Sequence, residues 1–112
     1  MSAQRHKVLL VEDEQPLVSL YKEYLKDELL DITHASSGKE ALNQLTTDEP
    51  DLILLDVRLP DMSGTEILDF IQERCLKAAV IMITAHGSIN MAVETMRGGA
   101  YDFLVNPFNR QR

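Results

Sequence analysis

Cysteine is nearly absent: Cys75 stands alone in 112 residues, so no intramolecular disulfide can staple the chain, and a reducing compartment suits it. His6, His34 and His86 share no ligand spacing with one another or with Cys75, which argues against a zinc site. Cys75 is read as a packing residue late in a helix. Long apolar runs are also missing. Apolar residues make up 45% of the sequence but never more than a handful in succession, and the first seven residues hold no signal-peptide core. No bilayer span and a cytoplasmic location are therefore expected. Basic residues are few and scattered, 11 Lys+Arg against 18 Asp+Glu for a net charge of -7, so no patch tracks a nucleic-acid backbone. Repeats, low-complexity tracts and linkers do not occur, and the length fits one domain.

What the chain does have is an alternation of short apolar runs with longer amphipathic stretches, the pattern of a β-α-β-α chain around a parallel sheet. Strands are expected at Val8 to Val11, Asp31 to Ala35, Leu52 to Leu55, Ala79 to Ile83 and Tyr101 to Val105. The second alternates and suits an edge; the third is branched and apolar throughout and suits the centre. Helices are expected from Gln15-Pro16, with Leu17, Leu20, Tyr21, Tyr24 and Leu25 inward, and from Gly38, with Ala41, Leu42 and Leu45 inward. Two more follow: one from about Thr65 on Ile67, Leu68 and Ile71, and one capped by Ser88 on Ile89, Ala92, Val93 and Met96, ended by Gly98-Gly99. This predicts a doubly wound five-stranded parallel sheet. A fifth helix to cover one face is not visible in the sequence, so residues 1–112 are expected to be an amino-terminal fragment of a longer protein, or a chain whose sheet face another chain covers.

Three of the apolar runs end on a residue with chemistry: the first on Glu12-Asp13, the third on Asp56, the fourth on Thr84. Ligands of open parallel sheets bind beyond the carboxyl ends of the strands, so these groups should converge. Carboxylates packed together repel unless a cation compensates, and a hard divalent metal such as Mg²⁺, which also binds phosphate oxygens, is the natural one. A carboxylate beside such a cation can attack phosphorus and become an acyl phosphate. Asp56, at the end of the most apolar strand, is the expected nucleophile, and Thr84 could donate its hydroxyl to a phosphate oxygen. Taken singly, each of these residues is an ordinary loop start or helix cap; the conjunction carries the argument.

The motifs Val11-Glu12-Asp13, Leu54-Leu55-Asp56-Val57-Arg58-Leu59-Pro60-Asp61-Met62-Ser63-Gly64, Ile83-Thr84-Ala85-His86-Gly87 and Asp102-Phe103-Leu104-Val105-Asn106-Pro107-Phe108 resemble the receiver domain of bacterial two-component response regulators. The stretch from Ala85 to Phe103 further resembles NtrC- and LuxO-type receivers, which precede an ATPase that activates alternative-sigma-factor transcription. The resemblance implies a CheY-like sheet of order 2-1-3-4-5. It also implies phosphotransfer from a histidine kinase or histidine phosphotransfer protein to Asp56, with Mg²⁺ held by Asp13, Asp56 and the Arg58 backbone carbonyl and Glu12 assisting through water. Thr84 and Phe103 then occupy switch positions, the hydroxyl moving toward the phosphate and the ring turning inward, so that the surface of the fourth helix and fifth strand changes for an output domain or a second receiver.

Asn106 departs from the pattern, standing where the family carries a lysine. Asn offers a neutral hydrogen bond where the lysine would supply a cation, so weaker switching is expected. A degenerate receiver acting only as an interaction module is therefore the alternative. An aspartyl-phosphate phosphohydrolase of the haloacid-dehalogenase type would want another Asp two residues after the nucleophile, where Arg58 stands, and a flavodoxin-like cofactor binder would want a phosphate loop after the first strand, which is lacking.

Overall fold

The computed structural model describes residues 5–85 and 87–105. Five strands, β1 (His6–Val11), β2 (Leu30–Ala35), β3 (Leu52–Asp56), β4 (Ala79–Thr84) and β5 (Asp102–Val105), alternate with four helices, α1 (Gln15–Leu25), α2 (Gly38–Thr47), α3 (Gly64–Glu73) and α4 (Ile89–Arg97). All pairings are parallel and the order is β2-β1-β3-β4-β5, with β3 central and β2 at an edge, as its alternation predicts.

Because strand side chains alternate, each apolar run feeds two cores. Leu9, Val11, Ile53, Leu55, Val80 and Met82 point to the face that α2 and α3 cover with Ala41, Leu45, Ile67, Leu68 and Ile71. Val8, Leu10, Leu54 and Ile83 point to the other face, where α1 supplies Val18 and Tyr21. Among the described residues, that second face is only partly covered. Leu52, Leu54, Ile81, Ile83 and Leu104, with Tyr24 and Leu25, bound an open apolar trough of about 260 Å³.

Helix ends follow local chemistry. Pro16 opens α1; Ser37 and Ser88 accept from the Glu40 and Met91 N–H groups; and the Glu66 carboxylate accepts the Ser63 N–H while Ser63 Oγ accepts that of Thr65. Gly98 caps α4, and Gly99 follows with a positive φ of 110° that a side chain would resist.

Three expectations fail. On α1, Tyr24 is 53% exposed and Val18 is buried in its stead, because the inward stripe runs through 18, 21 and 25. On α4, Ile89 is 82% exposed, and Val93 and Met96 are exposed too. The inward stripe there is Met91, Ala92 and Thr95, which works because the Thr95 hydroxyl donates to the Ala92 carbonyl at 3.1 Å and so enters the core satisfied. Cys75 is exposed rather than packed: at φ 54° it sits just past α3, in a conformation more often given to glycine.

Candidate functional site

The carboxyl ends of β1 and β3 lie side by side, since Val11 pairs with Leu55. The residues that follow, Glu12, Asp13 and Asp56, thus meet, with a carboxylate oxygen of each within 4.8 Å of the others. Their environments differ: Glu12 is buried, Asp56 half-buried and Asp13 exposed. They open into a cavity of about 290 Å³ whose far wall is Thr84, buried at the end of β4. The Arg58 backbone N–H donates to Asp56 Oδ1 at 3.1 Å, which folds the start of the β3–α3 loop against the carboxylate. Phe103 is half-buried and packs on the α2–α3 side of the core beside Gly87 and Thr84, outside the cavity wall. Asn106 lies outside the described residues.

The three acidic groups are placed where they could hold a cation. Burial, then the charge of Asp56, pushes the Glu12 carboxyl up to about 8, and burial raises Asp56 as well, against the Arg58 N–H. Glu12 therefore keeps its proton and shares it with Asp56 by a side-chain hydrogen bond. Three convergent carboxylate oxygens, one reaching solvent, suit a hard divalent ion that retains waters.

A pH dependence follows for the metal-free protein. In the unfolded chain Glu12 titrates near 4.5, in the folded one near 8, so between these values folding retains a proton that unfolding releases. The Glu12 contribution to stability is full below about pH 4.5, falls as pH rises, and is gone above about 8. Urea denaturation of the parent and Glu12→Gln is expected to show the parent losing ground to the variant between about pH 4.5 and 8. A constant difference between the two proteins would contradict this.

Some site residues escaped the sequence. Asp61, quoted above only within the motif around Asp56, accepts the Gly38 and Lys39 N–H groups at 2.8 and 2.9 Å and so ties the β3–α3 loop to the start of α2; these two bonds hold its carboxyl below the usual range. Tyr21, read as core, lines both the acidic cavity and the apolar trough, and burial with the nearby Glu12 and Asp56 charges pushes its phenol upward. Gly64 lets the loop close. A Cβ there would fall on the Asp56 carbonyl oxygen and 3.2 Å from the Val57 Cα, while the Gly64 N–H donates to the Val57 carbonyl at 2.7 Å. Gly64→Ala is expected to cost about 1–3 kcal/mol in urea denaturation through this overpacking, and to weaken metal binding by displacing the loop after Asp56. Unchanged stability and metal affinity would show that the loop yields freely.

The chain matches the response regulator receiver domain family over residues 8–112. It belongs to that family. The receiver is 44% identical over 103 residues to the regulatory protein LuxO of Vibrio cholerae serotype O1, covering 92% of this chain and 23% of that protein. It is 40% identical over 108 residues to the response regulator protein PilR of Pseudomonas aeruginosa, covering 96% of this chain and 24% of that protein. Among solved structures, the signal receiver domain of a putative LuxO repressor protein from Vibrio parahaemolyticus superposes with a TM-score of 0.91 at 47% identity, covering 95% of this chain and 82% of that one. The receiver thus spans about a quarter of the length of these curated relatives. As a receiver it is the phosphoacceptor part of a response regulator.

Proposed function

We propose that Asp56 is the phosphoacceptor and that Glu12, Asp13, Asp56 and the Arg58 carbonyl hold Mg²⁺ beside it, Glu12 acting through a water. The observation that carries this reading is the meeting of three carboxylate oxygens within 4.8 Å at the ends of β1 and β3. Bound there, Mg²⁺ would offset the negative charge of the cluster and of the incoming phosphoryl oxygens. Asp56, ionised, attacks the phosphorus of a phosphohistidine on a kinase or phosphotransfer protein; the new O–P bond replaces the P–N bond, and imidazole leaves. Thr84 turns its hydroxyl to a phosphoryl oxygen, and Phe103 follows into the space it vacates. The domain catalyses only this transfer and the later hydrolysis, as a cytoplasmic switch with no enzyme activity of its own toward other substrates.

The readout surface is α4 and β5, where Ile89, Val93, Met96 and Val105 are exposed, with Tyr101 just before β5. The partner there is an output domain of a longer chain, a second receiver or a second copy; transcriptional control through an ATPase module is the favoured output. The open trough beside α1 and the length of the relatives support the reading of residues 1–112 as the amino-terminal part of such a regulator.

Titration with beryllofluoride and Mg²⁺, followed by backbone NMR, tests the proposal. Shifts at Thr84, Phe103 and α4 that need both reagents are expected; an inert spectrum would leave only a passive interaction module. Asn106→Lys should lengthen or strengthen that response, and an unchanged phosphorylation rate, lifetime and spectrum would remove the weight placed on the missing cation.

A further inference from the structure

β1 and β2 run in register from His6↔Leu30 to Val11↔Ala35, and the ladder reaches one residue further, where the Glu12 N–H donates to the Ala35 carbonyl at 3.0 Å. In a parallel ladder the returning bond, to the Glu12 carbonyl, would come from the N–H of Ser37. Ser37 has already left the sheet to cap α2. A side chain stands in: His34 Nε2 lies 2.7 Å from the Glu12 carbonyl oxygen. A carbonyl oxygen can only accept, so the ring proton is on Nε2. The ring is half-buried, and the backbone behind it is held in turn, the His34 carbonyl accepting from Gln44 Nε2 at 3.2 Å.

The Glu12 carbonyl is half of the peptide that joins Glu12 to Asp13. That peptide is planar, so fixing the direction of its carbonyl fixes the direction in which the chain leaves toward the Asp13 Cα. Asp13 is the exposed member of the acidic cluster, and among the described residues no hydrogen bond holds its carboxylate. We propose that His34 is a positioning residue for the acidic cluster: its Nε2–H sets the plane of the Glu12–Asp13 peptide and so presents the Asp13 carboxylate to the cation. This rests on the metal-binding reading of the cluster given above.

Mg²⁺ titration by calorimetry, on the parent and on His34→Gln, His34→Asn and His34→Leu, tests it, with the urea midpoint of each measured alongside. The Gln amide nitrogen stands as many bonds from Cα as Nε2 and can make the same bond; the Asn nitrogen falls short, near the place of Nδ1. Partners that orient metal ligands carry about 10- to 100-fold in metal affinity, so His34→Asn and His34→Leu are expected to weaken Mg²⁺ binding about tenfold, while His34→Gln stays within about twofold of the parent. Parent-like affinity in all three variants overturns the proposal, and so does equal weakening in Gln and Asn, which would make the ring rather than its donor the cause. If His34→Leu fails to fold, the Gln–Asn pair still decides. A parent that binds no Mg²⁺ sinks the metal reading itself and this inference with it, whereas a binding parent with indifferent variants sinks only the role of His34.

Discussion

Asp56→Asn is expected to take up no phosphoryl group from acetyl phosphate and Mg²⁺ under conditions in which the parent is labelled. The substitution keeps the size of the side chain and its bond from the Arg58 N–H, so the fold around the end of β3 survives. What it removes is the carboxylate at the end of the central strand that lines the cavity with Thr84 and meets Glu12 and Asp13. An amide oxygen is a poor nucleophile toward phosphorus, and Glu12, buried behind it, is no substitute. The loss should be complete, not partial. Because one negative charge leaves a cluster in which burial and Asp56 both raise Glu12, the variant should also be at least as stable as the parent without metal. Residual labelling comparable to the parent would place the acceptor elsewhere.

The second large effect concerns stability. The trough bounded by Leu52, Leu54, Ile81, Ile83 and Leu104 is apolar throughout, and α1 alone flanks it among the described residues. In a longer chain, an amphipathic helix following residue 112 and laid on this face would bury roughly 300 Å² of apolar surface, an upper bound of about 7 kcal/mol before ordering costs are subtracted. That is of the order of a whole domain's stability of about 5–15 kcal/mol. Urea unfolding of residues 1–112 against a version extended by one such helix should therefore show a gain of several kcal/mol. Leu104→Glu separates this from a generic benefit of length. At a site already 37% exposed, it should shift the short chain by only about 0.5 kcal/mol, yet cost the extended chain markedly more. Equal stability of the two lengths, or equal cost of the substitution in both, would mean that the trough is not the seat of that helix.

The strands could be read from the sequence because the apolar runs are short and end sharply, and those of β1, β3 and β4 are buried on both faces; β3 and β4 carry no polar residue before their last. Once the strands were placed, the end-of-strand carboxylates and Thr84 followed from topology. The face of α4 could not be read. Its sequence offers Ile89, Val93 and Met96 as an apolar stripe, and only the internal bond of Thr95 reveals that a polar residue takes the buried place while the stripe faces outward. The failure coincides with the surface proposed above as the readout. Contacts made by backbone groups were equally hidden: the closeness of Gly64 to the Asp56 carbonyl, the capping of α2 by Asp61 from another loop, and the bond from His34 to Glu12 depend on chain directions that hydropathy does not encode. Asn106 stood out in the sequence by its departure from a pattern, and the described residues do not reach it.

Site mapping of the phosphorylated protein is the most direct check. After incubation with acetyl phosphate, reduction with borohydride converts an acyl phosphate to a homoserine at the acceptor, and peptide mass spectrometry reads its place. A single modified position at 56, formed with Mg²⁺ and absent when the ion is chelated, is the expected result. Modification at another carboxylate, or equal modification with the metal removed, would contradict the account.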